Sequence, residues 1–212
     1  MNQSTAMQMF EAAKTYCETE CPEVVDWANS ITPDTFKKLK STNFLTEYCW
    51  TVYASGFKAS TIEAIFPDLK SAFKEFELDA LAKMKSINPV LAIFNNERKA
   101  NSFLKGSKQI AQEGFSAFKK RLHNEGVDML EELPGIGPIT KFHLAKNLGL
   151  ADTAKPDVWL NRAADACSSS VEELVDFLSE KYAMSRHTVD VILWRYCADK
   201  GLGLGAKRLS SP

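Results

Sequence analysis

The chain has 212 residues, 45% of them apolar and 25% charged, with 26 Lys and Arg against 27 Asp and Glu. That length buries a core as one large domain or two small lobes, and no apolar run reaches the length of a membrane span. The opening residues Met1-Asn2-Gln3-Ser4-Thr5 lack the basic-then-apolar layout of a secretory signal, so an intracellular protein of cytoplasm or nucleoid, with no membrane partner, is expected.

Helical periodicity dominates and no alternating strand pattern stands out, which predicts an all-α fold. Residues 1–35 are acidic, with Glu11, Glu18, Glu20, Glu23, Asp26 and Asp34 against Lys14 alone. Thr42-Asn43-Phe44 opens an amphipathic helix with Phe44, Leu45, Tyr48, Cys49, Val52 and Tyr53 on one side, and Trp50 off that stripe. Ser60 and Thr61 are placed to cap the next helix through Ile62, Ile65 and Phe66. Pro67 follows, and Leu69, Phe73 and Phe76 mark a short apolar-faced turn of helix. Asn88-Pro89 starts a short helix over residues 90–94.

From Asn95 a longer helix runs to Gln112, and Gly114 ends it. Between Ile93 and Arg121 the charge reverses: Arg98, Lys99, Lys105, Lys108, Lys119, Lys120 and Arg121 face only Glu97 and Glu113. This fits a basic face for a polyanion and fits solvated helix faces equally well. Further on, Ser169-Ser170 caps residues 171–182 with Glu172 and Glu173 at the positive end, and Ser185 starts the last helix, to Lys200. The segment 201–208, Gly-Leu-Gly-Leu-Gly-Ala-Lys-Arg, follows a helix rather than a strand, so it reads as a basic tail and not a nucleotide loop.

Five scattered cysteines, Cys17, Cys21, Cys49, Cys167 and Cys197, argue against a disulfide framework and read as small buried apolar groups. Cys17 and Cys21 share a helix face at i, i+4, but His123, His143 and His187 are not grouped to complete a metal site. No metal, iron–sulfur cluster or other cofactor is expected.

The most informative stretch is Leu130-Glu131-Glu132-Leu133-Pro134-Gly135-Ile136-Gly137-Pro138-Ile139-Thr140. It reads as two helices, residues 128–133 and 138–147, joined by a tight Pro-Gly-x-Gly hairpin, with Pro138 in the first turn of the second. The amides of Gly135, Gly137 and Ile139 are placed to point outward at a helix start, a ready site for a phosphate oxygen, with the Thr140 hydroxyl and the Lys141 charge nearby. Pro156 then opens a helix with Asp157 near its N-terminus, within Lys155-Pro156-Asp157-Val158-Trp159-Leu160-Asn161-Arg162. Without the hairpin upstream, Asp157 would read as a carboxylate favoured by the helix dipole.

At these residues the chain resembles the helix-hairpin-helix (HhH-GPD) base-excision DNA glycosylases, the superfamily of endonuclease III. In that family a Leu-Pro-Gly-x-Gly hairpin is followed by an Asp on the pattern Asp-Thr/Val-His-x-x-Arg; here Asp157 to Arg162 stands there, with Trp159 where His is usual. Phe94 to Asn101 is similar to the family's aromatic-x-x-x-x-Lys-Ala helix. Ser55-Gly56-Phe57-Lys58-Ala59-Ser60 falls where the family has a Ser-x-Gln segment. The likeness covers residues 42–165.

The resemblance implies a two-lobed helical fold with a cleft between lobes: residues 1–41 with 156–212 as one lobe, and 42–155, carrying the motif at 128–148, as the other. It also implies a monomer acting on double-stranded DNA that contains a damaged or modified base. The base is flipped out of the stack, and Asp157 stabilises the sugar cation and activates water. Tyr48, Trp50 and Trp159 are the candidates for the base pocket. Strand-cleaving relatives carry a lysine where Ile139 stands, so the expectation is a monofunctional glycosylase. Lys141 is placed to face away, and the loop gives no reason to aim Lys155 at the sugar. Gly56 lies near the family's gap-filling glutamine, so either another side chain fills the stack or substrate binding differs. Two other readings stay open: a relative that removes a naturally modified base in defence or nucleic-acid modification, and a non-catalytic DNA-binding module.

Overall fold

A computed structural model describes residues 1–202; residues 203–208 of the basic tail lie outside the described residues. Every regular element among the described residues is helical, as expected. None of these helices is long and apolar enough to cross a membrane. In chain order the α-helices are α1 (Gln3–Glu20), α2 (Pro22–Ser30), α3 (Pro33–Lys37), α4 (Ser41–Ala54) and α5 (Ala59–Ala72). Then come α6 (Leu78–Lys83), α7 (Asn88–Leu91), α8 (Glu97–Glu113) and α9 (Phe115–Glu125). The last four are α10 (Thr140–Asn147), α11 (Val158–Ala166), α12 (Val171–Tyr182) and α13 (Arg186–Lys200).

Two compact units result, one made of Met1–Thr32 with the chain from Asp152 onward, the other of Pro33–Ala151. Residues 33–41 therefore fold with the central unit, and residues 152–155 with the terminal one.

In the central unit α4 packs against α5, α8 and α10. Its aromatic stripe is the reason: Phe44, Tyr48 and Tyr53 are fully buried together with Phe73, Phe76, Phe103 and Phe118. The rings meet edge-on, Phe73 to Phe103 at 4.6 Å and Phe44 to Phe118 at 5.0 Å between centroids. Each such side chain contributes about 1.5–3 kcal/mol by leaving water.

Most of the basic run between Arg98 and Arg121 is used inside this unit. Lys99 Nζ donates to the carbonyls of Val52 (2.6 Å) and Ser55 (2.7 Å) at the end of α4. Lys108 Nζ donates to Met84 O at the end of α6 (2.7 Å), and Lys119 Nζ to Lys37 O, the last residue of α3, and to Leu39 O beyond it (2.7 and 3.1 Å). Three helix C-termini, each with unsatisfied carbonyls and a partial negative charge, are thus closed by ammonium groups. Arg121 forms a two-pronged pair with Glu113 (2.9 Å each) and a third contact with Glu132 (2.7 Å). The charge reversal is therefore largely internal wiring, and four of its seven cations are already engaged.

Local chemistry moves several predicted boundaries. α5 starts at Ala59 with Lys58 at its N-cap, so Ser60 and Thr61 lie inside it, and Pro67 sits within the helix. The bond that Pro67 cannot make would reach the carbonyl of Glu63, an exposed residue. The expected first arm of the hairpin is a 3₁₀ segment, Val127–Glu132. It is confined between Gly126 (φ 79°) and Leu133, which is held extended (ψ 126°) by the proline that follows it.

In the terminal unit α1 lies along α13, with α2, α11 and α12 around them. Ala6, Met9, Phe10, Ala13 and Cys17 meet Val189, Ile192, Leu193 and Cys197 in one core. Ser170 and Glu173 form the reciprocal capping box at α12, and Ser185 caps α13. All five cysteines are free and buried.

Candidate functional site

The hairpin belongs to the central unit. Gly135 has φ +87°, a backbone conformation that a side chain disfavours. A Cβ there would also meet Ser102 Cβ at 3.1 Å and Val52 Cγ2 at 3.2 Å. Both a positive φ and close packing thus call for glycine at 135. Gly137 is different: a Cβ there would meet nothing within 4 Å.

The expected row of outward amides is only partly formed. The Gly137 N–H donates to Thr140 Oγ1 at 2.8 Å, closing the turn and occupying the Thr140 hydroxyl. That turn is why α10 begins at Thr140 rather than at Pro138. The amides of Gly135 and Ile139 have no acceptor among the described residues, and the Ile139 side chain is 42% exposed.

Lys141 departs further from expectation. Its ammonium is held by Asp128 (2.6 Å) and by Glu131, both on the first arm of the motif. The bond to Asp128, then that to Glu131, raises its pKa above the ordinary lysine value. It ties the two arms of the motif together. Tyr48 is also corrected: it is fully buried, with no ring face open to a base. Its hydroxyl lies 2.6 Å from Pro134 O and 3.2 Å from Ser102 O, so it braces the hairpin from beneath, and burial raises its pKa far above that of a free phenol.

Trp50 is partly buried and packs edge-on to Phe66 at 5.4 Å. Phe57, which no sequence motif marks, is 43% exposed in the turn after α4. It follows Gly56 (φ 79°), packs edge-on to Phe94 at 5.1 Å and lies 5.2 Å from Lys99 Nζ. Lys99 also carries the capping bonds just beneath this turn. Burial, and then the charge of Arg98, lower its pKa to about 8.

Asp157 belongs to the terminal unit. It is the N-cap of α11, not a residue within it, with extended backbone (φ −87°, ψ −176°). Its Oδ1 accepts from the amides of Trp159 (2.9 Å) and Leu160 (3.2 Å), two of the donors that a helix start leaves unsatisfied. The helix therefore opens at Val158 rather than at Pro156. Capping uses one oxygen; the other, Oδ2, lies 3.3 Å from Lys155 Nζ. The carboxylate side chain is 13% exposed. Asn161 Nδ2 donates to the carbonyls of Pro156 (2.9 Å) and Asp157 (2.8 Å), which fixes the loop against the helix.

Two carboxylates hold this loop to α13. Asp152 Oδ1 accepts from the His187 amide (2.9 Å), and buried Asp190 Oδ2 accepts from the Lys155 amide (2.5 Å). Cys197 on the same helix has its pKa raised to about 11, by burial first and by the charge of Asp157 second. Trp159 is partly buried, with the Arg162 guanidinium 5.2 Å from its ring centre. Asp190 carries no signal in the sequence, and Lys155 is weighed there only as an amine for the sugar. Lys155 was visible two residues before Asp157, but nothing in the sequence signals its contact with Oδ2.

Among the described residues no cluster of His, Cys, Asp or Glu is arranged to hold a metal ion. No protein-family model matches the chain, no curated protein matches it, and no solved structure matches it.

Proposed function

We propose that this chain is a monofunctional DNA glycosylase, which flips a damaged or modified base out of a duplex and hydrolyses its N-glycosidic bond. The observation that carries the reading is the state of Asp157: a carboxylate fixed through Oδ1 by two amides, with Oδ2 outside the cap and facing the Lys155 ammonium. Cleavage of a glycosidic bond builds positive charge on the sugar, and a preorganised carboxylate stabilises that charge and takes a proton from the attacking water. The rigid cap removes the reorganisation that a free side chain would undergo.

The hairpin supplies the grip in a narrower form than the sequence implied. The amides of Gly135 and Ile139 bind phosphate oxygens, and Gly137 lets the backbone come close without a Cβ in the way. Phe57, exposed beside Gly56, is the side chain that enters the stack when the base leaves. Trp159, two residues after Asp157 in the same unit, is the candidate for the base pocket. Ile139 has no amine to trap the sugar, so the strand is left intact.

The test is base release from duplexes bearing alkylated, oxidised, deaminated or hypermodified bases. One duplex of the panel is expected to lose its base, at a rate lowered about 10²- to 10⁴-fold by Asp157→Asn. Tight duplex binding with no release across the panel, unchanged by that substitution, would instead mark a non-catalytic binding module. Covalent trapping of the enzyme on DNA by borohydride would overturn the monofunctional assignment.

A further inference from the structure

The ion pair of Lys155 with Asp157 raises a difficulty for that chemistry. A carboxylate close to a sugar cation stabilises it by direct charge attraction. An ammonium 3.3 Å from the same carboxylate offsets much of that field. For Asp157 to act, the ammonium must leave Oδ2 and find another anion.

Resting on the glycosylase reading, we propose that Lys155 is an ion-pair exchanger: it holds Asp157 Oδ2 in the free protein and passes to a DNA phosphate in the complex. Three features support this. The Lys155 backbone is pinned, its amide bound to Asp190, a carboxylate only 2% exposed on α13. Its side chain, in contrast, is 21% exposed, and its ammonium is held by the single ion pair with Asp157. The lysine stem is flexible and its head is a compact charge, so the head swings while the pivot stays still. Every nucleotide sugar in DNA is flanked by phosphates, so a lysine beside the residue that faces a sugar has an anion within reach. The exchange breaks one ion pair and forms another; no covalent bond or proton changes hands. Lys155 is thus a positioning residue that exposes the working oxygen only when the backbone of a substrate is present.

The experiment compares wild type, Lys155→Met and Lys155→Arg for duplex binding over a range of salt, and for single-turnover base release at saturating enzyme. The exchange predicts that Lys155→Met lowers the slope of log affinity against log salt by about 0.9, the loss of one phosphate contact. Lys155→Arg restores the slope. A Lys155→Met protein with the wild-type salt slope overturns the exchange, because Lys155 then makes no phosphate contact in the complex. Failure of the function reading looks different: wild type itself then binds no duplex or releases no base.

Discussion

The hydroxyl of Tyr48 on α4 donates to the carbonyl of Pro134 at 2.6 Å, joining the hairpin to its support across 86 residues of sequence. Gly106 on α8 leaves room for that hydroxyl, since a Cβ there would come to 2.2 Å from it. The shape of the hairpin thus depends on a phenol and on a glycine that lies outside the motif. Tyr48→Phe leaves the Pro134 carbonyl without this donor and lowers stability by about 1–2 kcal/mol in urea unfolding. Gly106→Ala also destabilises, by about 1–3 kcal/mol. The double variant is less destabilised than the sum, because the closest clash leaves with the hydroxyl. Strict additivity would show that the two residues are independent.

The two hairpin glycines separate packing from ligand contact. Gly135→Ala is expected to lose about 1–3 kcal/mol of stability, through its left-handed backbone and the walls of Ser102 and Val52. Gly137→Ala changes stability by less than about 1 kcal/mol, since its Cβ enters open space. If DNA approaches there, Gly137→Ala still weakens duplex binding at unchanged unfolding midpoint. Equal loss of stability in both variants would contradict this division.

Lys99 gives a pH signature. Its pKa is about 8 in the folded protein and near 10.5 in an open chain. The unfolded state therefore binds more protons between these values, and stability from this group rises as pH increases from about 8 to 10.5. Lys99→Met removes the titration along with two capping bonds. The stability of wild type relative to Lys99→Met should widen across that window in chemical unfolding at matched pH. A constant or shrinking difference would show that Lys99 titrates normally.

The N-cap geometry of Asp157 decides which variant is a clean probe. Asparagine keeps an acceptor for the Trp159 and Leu160 amides, so Asp157→Asn should unfold within about 0.5 kcal/mol of wild type. Asp157→Ala loses the cap and about 1 kcal/mol. If both variants lose equal stability, the cap is not what holds Oδ1.

The helical class, the hairpin and the caps at Ser170 and Ser185 were legible because each rests on short-range chemistry: periodicity, a Pro-Gly-x-Gly turn, a hydroxyl before an apolar run. What escaped was non-local. The sequence places seven cations between Arg98 and Arg121, but only folding shows that Lys99, Lys108 and Lys119 point at helix ends and that Arg121 meets Glu113. Tyr48 and Trp50 lie two residues apart on α4 and both looked like wall material. Their difference, burial on a hairpin carbonyl against partial exposure beside Phe66, depends on partners 86 and 16 residues away. Likewise, nothing in the sequence shows that the Thr140 hydroxyl accepts from the Gly137 amide, which removes one free amide from the hairpin.

The buried thiols carry a separate consequence. Cys49 is the one cysteine of the central unit, and Cys17, Cys21, Cys167 and Cys197 all lie in the terminal unit. A thiol reagent attacks a buried cysteine only when the surrounding structure opens, so its rate measures the free energy of that opening. Each unit therefore has its own chemical clock. Labelling at Cys49 reports breathing around the hairpin, and labelling at Cys197 reports breathing around Asp157, in the same tube and without an added probe.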